Sequence, residues 1–121
     1  MKLIFCLRRN PRLTADEFQE YWLRHHAELM TSSRQAIPSM TKYVQSHTVY
    51  GPLTDAVQAS RGTREPYDGV AEVWLDTDSD DPNGDPEAAA AAMQRLLADE
   101  MTFIDMAHSS IFLTEERTIF E

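Results

Sequence analysis

TADEFQEYWLRHHAELM, Thr14 to Met30, is the stretch whose reading decides the fold. It follows Pro11-Arg12-Leu13, and Thr14 with Glu17 three residues on is a capping-box pair, which satisfies two of the amide donors left open at a helix start. Phe18, Tyr21, Trp22, His25 and Leu29 recur at helical spacing. The spacing predicts a helix with one apolar face that carries an imidazole and an opposite face that is acidic and solvated.

Outward from this helix, the preceding KLIFCL (Lys2–Leu7) is an apolar run of strand length, closed by the turn cluster Arg8-Arg9-Asn10-Pro11. After the helix, Ile37-Pro38-Ser39 ends any helical continuation. MTKYVQSHTVY (Met40–Tyr50) then alternates as a strand, with Tyr43, Gln45 and His47 on one face and Val44, Ser46 and Thr48 on the other. Gly51–Pro66 has no clear period and reads as a long loop. VAEVWL (Val70–Leu75) puts Val70, Glu72 and Trp74 on one face and Ala71, Val73 and Leu75 on a purely apolar one. Asp76–Pro86 reads as a solvated acidic turn. Glu87–Glu100 is a strong helix former with Met93, Leu96 and Leu97 on its packing side, and Ile111 and Leu113 alternate with Phe112 and Thr114 in a last strand, which Thr118-Ile119-Phe120 is read as extending past a polar break at Glu115-Glu116-Arg117.

The order strand, helix, strand, strand, helix, strand in 121 residues reads as one α+β domain over residues 1–121. Its simplest form is a ferredoxin-like βαββαβ chain, a four-stranded antiparallel sheet with two helices on one face. The bare sheet face is expected to carry Tyr43, His47, Trp74 and Phe112, a patch too large for a monomer, so two sheets are expected to close on each other in a homodimer. Eleven basic against twenty acidic residues, a net charge of −9, exclude nucleic acid and anionic membrane surfaces as main partners. The lone Cys6 removes a disulfide framework, and Met1–Leu7 lacks the shape of a signal peptide, so a cytoplasmic protein without membrane spans is expected.

Several motifs together resemble the EthD family of the dimeric α+β barrel superfamily. They are Tyr21-Trp22 with His26-Ala27, Tyr43-Val44-Gln45 with His47, Asp68-Gly69 with Glu72 and Trp74, and the later Glu100, Phe103 and Asp105. Glu28 departs from the pattern, since members commonly carry Pro after the His-Ala pair, and Gly51–Pro66 matches nothing. The resemblance implies a cofactor-independent homodimer with one cavity per subunit between sheet and helices. In its wider superfamily are polyketide cyclases, isomerases, decarboxylating or dehydrating proteins and cofactor-free monooxygenases.

Imidazoles at His26 and His47 suit removal of a proton from a carbon acid, with Tyr43 hydrogen-bonding the enolate oxygen that develops. Trp22, Trp74 and Phe112 suit a planar, hydrophobic substrate. Plainer readings stand beside these. His25 is a packing residue, His26 either acts as base or interacts with the helix dipole, and His108 is exposed. Glu72 orients a histidine or makes an inter-subunit ion pair; Asp68 shapes its turn or contacts substrate; Tyr43 and Gln45 line a site or satisfy the core. Adjacent His25 and His26 diverge by about 100° on a helix and cannot hold one metal ion, and there is no Gly-rich phosphate loop, so neither metal nor cofactor is expected. The leading expectation is a cofactor-independent lyase or cyclase acting on an aromatic polyketide-like molecule. The alternatives are a hydrophobic-metabolite binding or accessory protein, and a cofactor-free monooxygenase.

Overall fold

The structure is a computed structural model that describes residues 1–76 and 84–121. Its elements are β1 (Lys2–Leu7), α1 (Ala15–Tyr21), a π-helical turn (Trp22–His26), α2 (Ala27–Ser32), β2 (Met40–His47), α3 (Pro52–Arg61), β3 (Gly69–Leu75), α4 (Pro86–Phe103), a 3₁₀ turn (Met106–His108) and β4 (Ser110–Thr114). The sheet order is β2-β3-β1-β4 with every neighbouring pair antiparallel. The two central strands thus belong to different halves of the chain, as a split strand-helix-strand arrangement requires.

The predicted helix starts where its capping box puts it. The Thr14 hydroxyl accepts from the Glu17 amide and the Glu17 carboxylate accepts from the Thr14 amide. What the spacing does not predict is the π turn. Phe18, Trp22, His26 and Met30, each four residues apart, are all buried. In a regular helix each four-residue step overshoots a full turn by about 40°, so four such residues drift off one face. The wider π turn, with the Ala27 amide bonded to the Trp22 carbonyl, takes the drift back. His26 therefore points inward and His25, expected to pack, points out.

Strand faces follow from the ladders. Leu3, Phe5 and Leu7 lie beside Val73, Ala71 and Gly69, and these beside Tyr43, Gln45 and His47, so all share the face under the helices. Lys2, Ile4 and Cys6 share the other face with Trp74, Glu72 and Val70, and with Phe112 across β4. The expectation that Tyr43 and His47 share a face with Glu72, Trp74 and Phe112 is thereby corrected: register, not polarity, pairs the faces. A bulge between Met40 and Lys42 lets Met40 and Tyr43, of opposite parity, point the same way.

Three further differences have local causes. Pro52–Arg61 is a helix and not a loop, with Pro at its first turn and Gly62 in the left-handed conformation (φ 65°) just beyond it. In α4 the buried stripe is Ala92, Leu96 and Phe103, while Met93 and Leu97 are half exposed. The last strand ends at Thr114, without the Thr118–Phe120 extension. Most of the expected acidic turn at Asp76–Pro86 lies outside the described residues. Among those described, no helix is long and apolar enough to cross a membrane.

The core is two clusters, Leu7, Phe18, Trp22, Ala71, Phe103 and Ile104 on one side and Met30, Ile37, Val73, Ala92 and Leu96 on the other. The Trp22 ring closes on Gly69 so tightly that a Cβ there would sit 2.4 Å from the ring and 2.8 Å from the Ser46 carbonyl. Gly69→Ala is expected to destabilise the fold by about 1–3 kcal/mol, read as a lowered midpoint in urea unfolding. An unchanged midpoint would show that the ring and strand are free to separate.

Candidate functional site

Between the two core clusters lies a cavity of about 330 Å³, walled by the apolar sheet face (Phe5, Leu7, Val73) and by helix residues such as Met30 and Leu96. Its polar groups are few: His26, Tyr43, Glu100 and Ser39. An apolar enclosure with a small convergent polar set has the general form of a small-molecule site.

The π turn presents His26 to α4. Its Nδ1 lies 2.8 Å from Oδ2 of Asp99, and its Nε2 lies 3.9 Å from Oε2 of Glu100. Asp99 also accepts from the Tyr21 hydroxyl, and His25 Nε2 lies 3.3 Å from it on the solvent side. Burial pushes the His26 pKa below its ordinary value, with the Asp99 hydrogen bond opposing that. A neutral imidazole donating from Nδ1 leaves its Nε2 lone pair directed to Glu100. Burial, with the Asp99 charge adding to it, raises the Glu100 pKa to about 7. The site therefore holds a carboxyl that exchanges its proton near neutrality beside an imidazole that burial favours in its neutral, proton-accepting form.

Gln45 organises the other wall. Its Nε2 donates to the Tyr43 hydroxyl oxygen (2.9 Å) and to the Trp22 carbonyl (2.9 Å), and its Oε1 accepts from His47 Nε2 (2.8 Å). Both amide hydrogens are used, so the Tyr43 O–H remains free to donate into the cavity. His47 stacks on Trp22 with ring centroids 4.4 Å apart and does not line the cavity; burial lowers its pKa.

The structure thus brings His26, Tyr43, Trp22 and, behind them, Gln45 and His47 together. It does not bring in Glu72, Trp74, Phe112 or Asp68. On the opposite sheet face, Glu72 pairs with Lys2 (3.4 Å), the Trp74 indole donates to Glu116 (2.9 Å), and Phe112 is half exposed. Glu72 does pair with a cation, within its own chain. Asp68, buried, receives the Arg9 amide and guanidinium (2.8 and 2.7 Å) and the Tyr50 hydroxyl, whose pKa burial and Asp68 raise to about 12. It ties the start of β3 to the end of β1. The residue overlooked as a candidate is Asp99, and Glu100 was read only as a family motif. Their signal was legible: with Ala92, Leu96 and Phe103 they fall at the three- and four-residue spacing of a buried stripe, where a carboxylate needs a partner. No group of three metal ligands occurs among the described residues.

The EthD domain model matches residues 10–107. The chain belongs to the EthD family. Similar solved structures agree on the fold. An ethyl tert-butyl ether D (EthD) family protein from Bacillus halodurans is 21% identical, with 96% of this chain and 97% of that one covered and a TM-score of 0.56. HapK from Hahella chejuensis is 12% identical, covering 100% and 99% with a TM-score of 0.52. A hypothetical Arabidopsis thaliana protein is 11% identical, covering 99% and 90% with a TM-score of 0.52. Among curated proteins none matches in sequence. At such identities these structural neighbours establish architecture and not chemistry.

The raised Glu100 pKa links stability to pH. Between about pH 4.5 and about 7 the folded chain keeps the Glu100 proton that the unfolded chain has lost, so stability falls as pH rises through that window. Glu100→Gln removes the term. Relative to the wild type, the variant is expected to gain on the order of 2 kcal/mol between pH 4.5 and pH 8 in urea titrations. A difference that does not change with pH would place an ordinary carboxylate at this position.

Proposed function

We propose that this EthD protein is a cofactor-independent lyase or cyclase that enolises an aromatic carbon acid at its uncharged carbonyl end. The observation that carries the reading is the juxtaposition of Glu100, its pKa raised to about 7, with the buried imidazole of His26 among the few polar groups of an otherwise apolar cavity. Glu100, as carboxylate, takes the proton from the carbon next to a carbonyl. His26 Nε2, 3.9 Å from the Glu100 carboxyl before substrate enters, closes on the resulting acid and accepts or returns its proton, while Asp99 holds the ring. The Tyr43 hydroxyl, its oxygen engaged by Gln45, donates to the carbonyl oxygen as it becomes an enolate. Aldol closure, dehydration and decarboxylation all pass through such an enol. Trp22 supplies a wall for a planar ring, and Gln45 and His47 position Tyr43 without touching substrate. An apolar cavity of this kind equally suits a binding or accessory protein, and turnover separates the two.

The test is hydrogen–deuterium exchange at the α-carbon of 2-tetralone, followed by NMR in deuterated buffer. The wild type is expected to accelerate exchange, and Glu100→Gln and His26→Ala to lower that acceleration by about 10²–10⁴-fold. Tyr43→Phe is expected to lose about 10²–10³-fold. Binding of the ketone without acceleration would make this a binding protein.

The same reading takes the chain as a homodimer. Phe112 is half exposed on the bare sheet face, with Ile111 and Leu113 also exposed along the edge strand β4. Sedimentation is expected to give a dimer that Phe112→Glu dissociates. A monomeric wild type at micromolar concentration would contradict the closed-sheet assembly.

A further inference from the structure

The cavity has a polarity gradient. At its inner end stand Glu100 and His26, with the Asp99 carboxylate immediately behind. No lysine or arginine is among the residues that line it. An anion driven to that end would meet two carboxyls and no counter-charge in a low-dielectric enclosure, a strongly unfavourable placement.

At the other end the sign reverses. A second depression, of about 280 Å³, runs along the edge of β2 and shares Met30, Met40 and Tyr43 with the main cavity. Arg34 and Lys42 line it. Arg34, one turn past Met30 at the end of α2, is exposed and in none of the ion pairs found among the described residues. Lys42 sits just past the β2 bulge on this edge strand; its ammonium lies 4.5 Å from the centre of the Trp74 ring on the opposite sheet face, and its flexible stem must swing about the strand edge to meet an anion in the depression. Glu116, which pairs with Lys2, is near enough to interact with Lys42 and leaves Arg34 as the less compensated of the two. In a chain of net charge −9 these cations are a local exception, in a depression that shares part of its wall with an apolar cavity.

We propose that the cavity takes an amphiphilic ligand, with an uncharged reacting end against His26 and Glu100, an apolar body along Met30, Met40 and Tyr43, and an anionic end, carboxylate or phosphate, over Arg34 and Lys42. The inference rests on the cavity being the ligand site of the proposed function and adds the ligand's charge and direction. Arg34 and Lys42 act as specificity determinants and take no part in the proton transfers. A guanidinium offers two parallel donors to either anion, and the ammonium adds a point charge.

The test is calorimetric titration at pH 7 with four probes of one skeleton: 4-phenylbutanol, 4-phenylbutyrate, 4-phenylbutyl phosphate and 4-phenylbutylamine. The wild type is expected to bind at least one of the anions about 5- to 10-fold more tightly than the alcohol, and the amine more weakly than the alcohol. An advantage confined to the carboxylate or to the phosphate identifies the anion. In the double variant Arg34→Gln, Lys42→Gln the advantage is expected to shrink to about twofold or less, with alcohol affinity unchanged, because both side chains are exposed and outside the core. If the alcohol binds and neither anion gains over it, or if the double variant keeps the anion advantage, this inference falls while the enolisation reading stands. If no probe binds, the cavity is not a ligand site and both fall.

Discussion

The hydrogen bond from His26 to Asp99 is the contact on which the site depends. It joins the π turn to α4 across the top of the sheet, and it decides which imidazole nitrogen is left for chemistry. A buried histidine with an unpaired ring nitrogen costs free energy, and so does a buried carboxylate; each offsets the other here. With Nδ1 committed to Asp99, Nε2 faces Glu100 and the cavity. The same Asp99 adds to the effect of burial in raising the proton affinity of Glu100, its neighbour in the chain, so one carboxylate both orients the imidazole and tunes the carboxyl beside it.

That contact exists because the first helix is not uniform. Phe18 and Trp22 are clamped in the core, Trp22 against a strand position that only glycine permits. A regular continuation would rotate the inward direction from His26 toward His25. The π turn releases the Trp22 carbonyl from the usual pattern, and the Gln45 amide donates to it from the sheet. Gln45 then serves three partners at once, which couples the helix distortion to the orientation of the Tyr43 hydroxyl. Local irregularity and site geometry have one cause.

Much of this was legible in the sequence. The capping box at Thr14, the strands at Lys2 and Val70, their alternation and the split chain order all follow from local pattern, and part of the EthD resemblance, Trp22, His26, Tyr43 and Glu100, lies on the cavity wall. Other features were not legible, for definite reasons. Alternation sorts each strand into two faces but says nothing about which face of β2 continues which face of β3, and Glu72, Trp74 and Phe112 were misplaced on that ambiguity. A four-residue spacing is compatible with a regular helix or with a π turn until the core shows which side chains it accepts. In Pro52–Arg61 the Pro and Gly that suggested a loop are the start and stop of an exposed helix whose apolar residues have no burial period to read.

The central claim is that an apolar cavity holds a carboxyl that titrates near neutrality beside a neutral imidazole, and it is tested most directly by NMR titration of the Glu100 carboxyl carbon together with the His26 ring nitrogens. The account predicts a Glu100 midpoint near 7 and a neutral His26 that carries its proton on Nδ1. A Glu100 midpoint near 4.5, or a proton resident on Nε2 of His26, would contradict it.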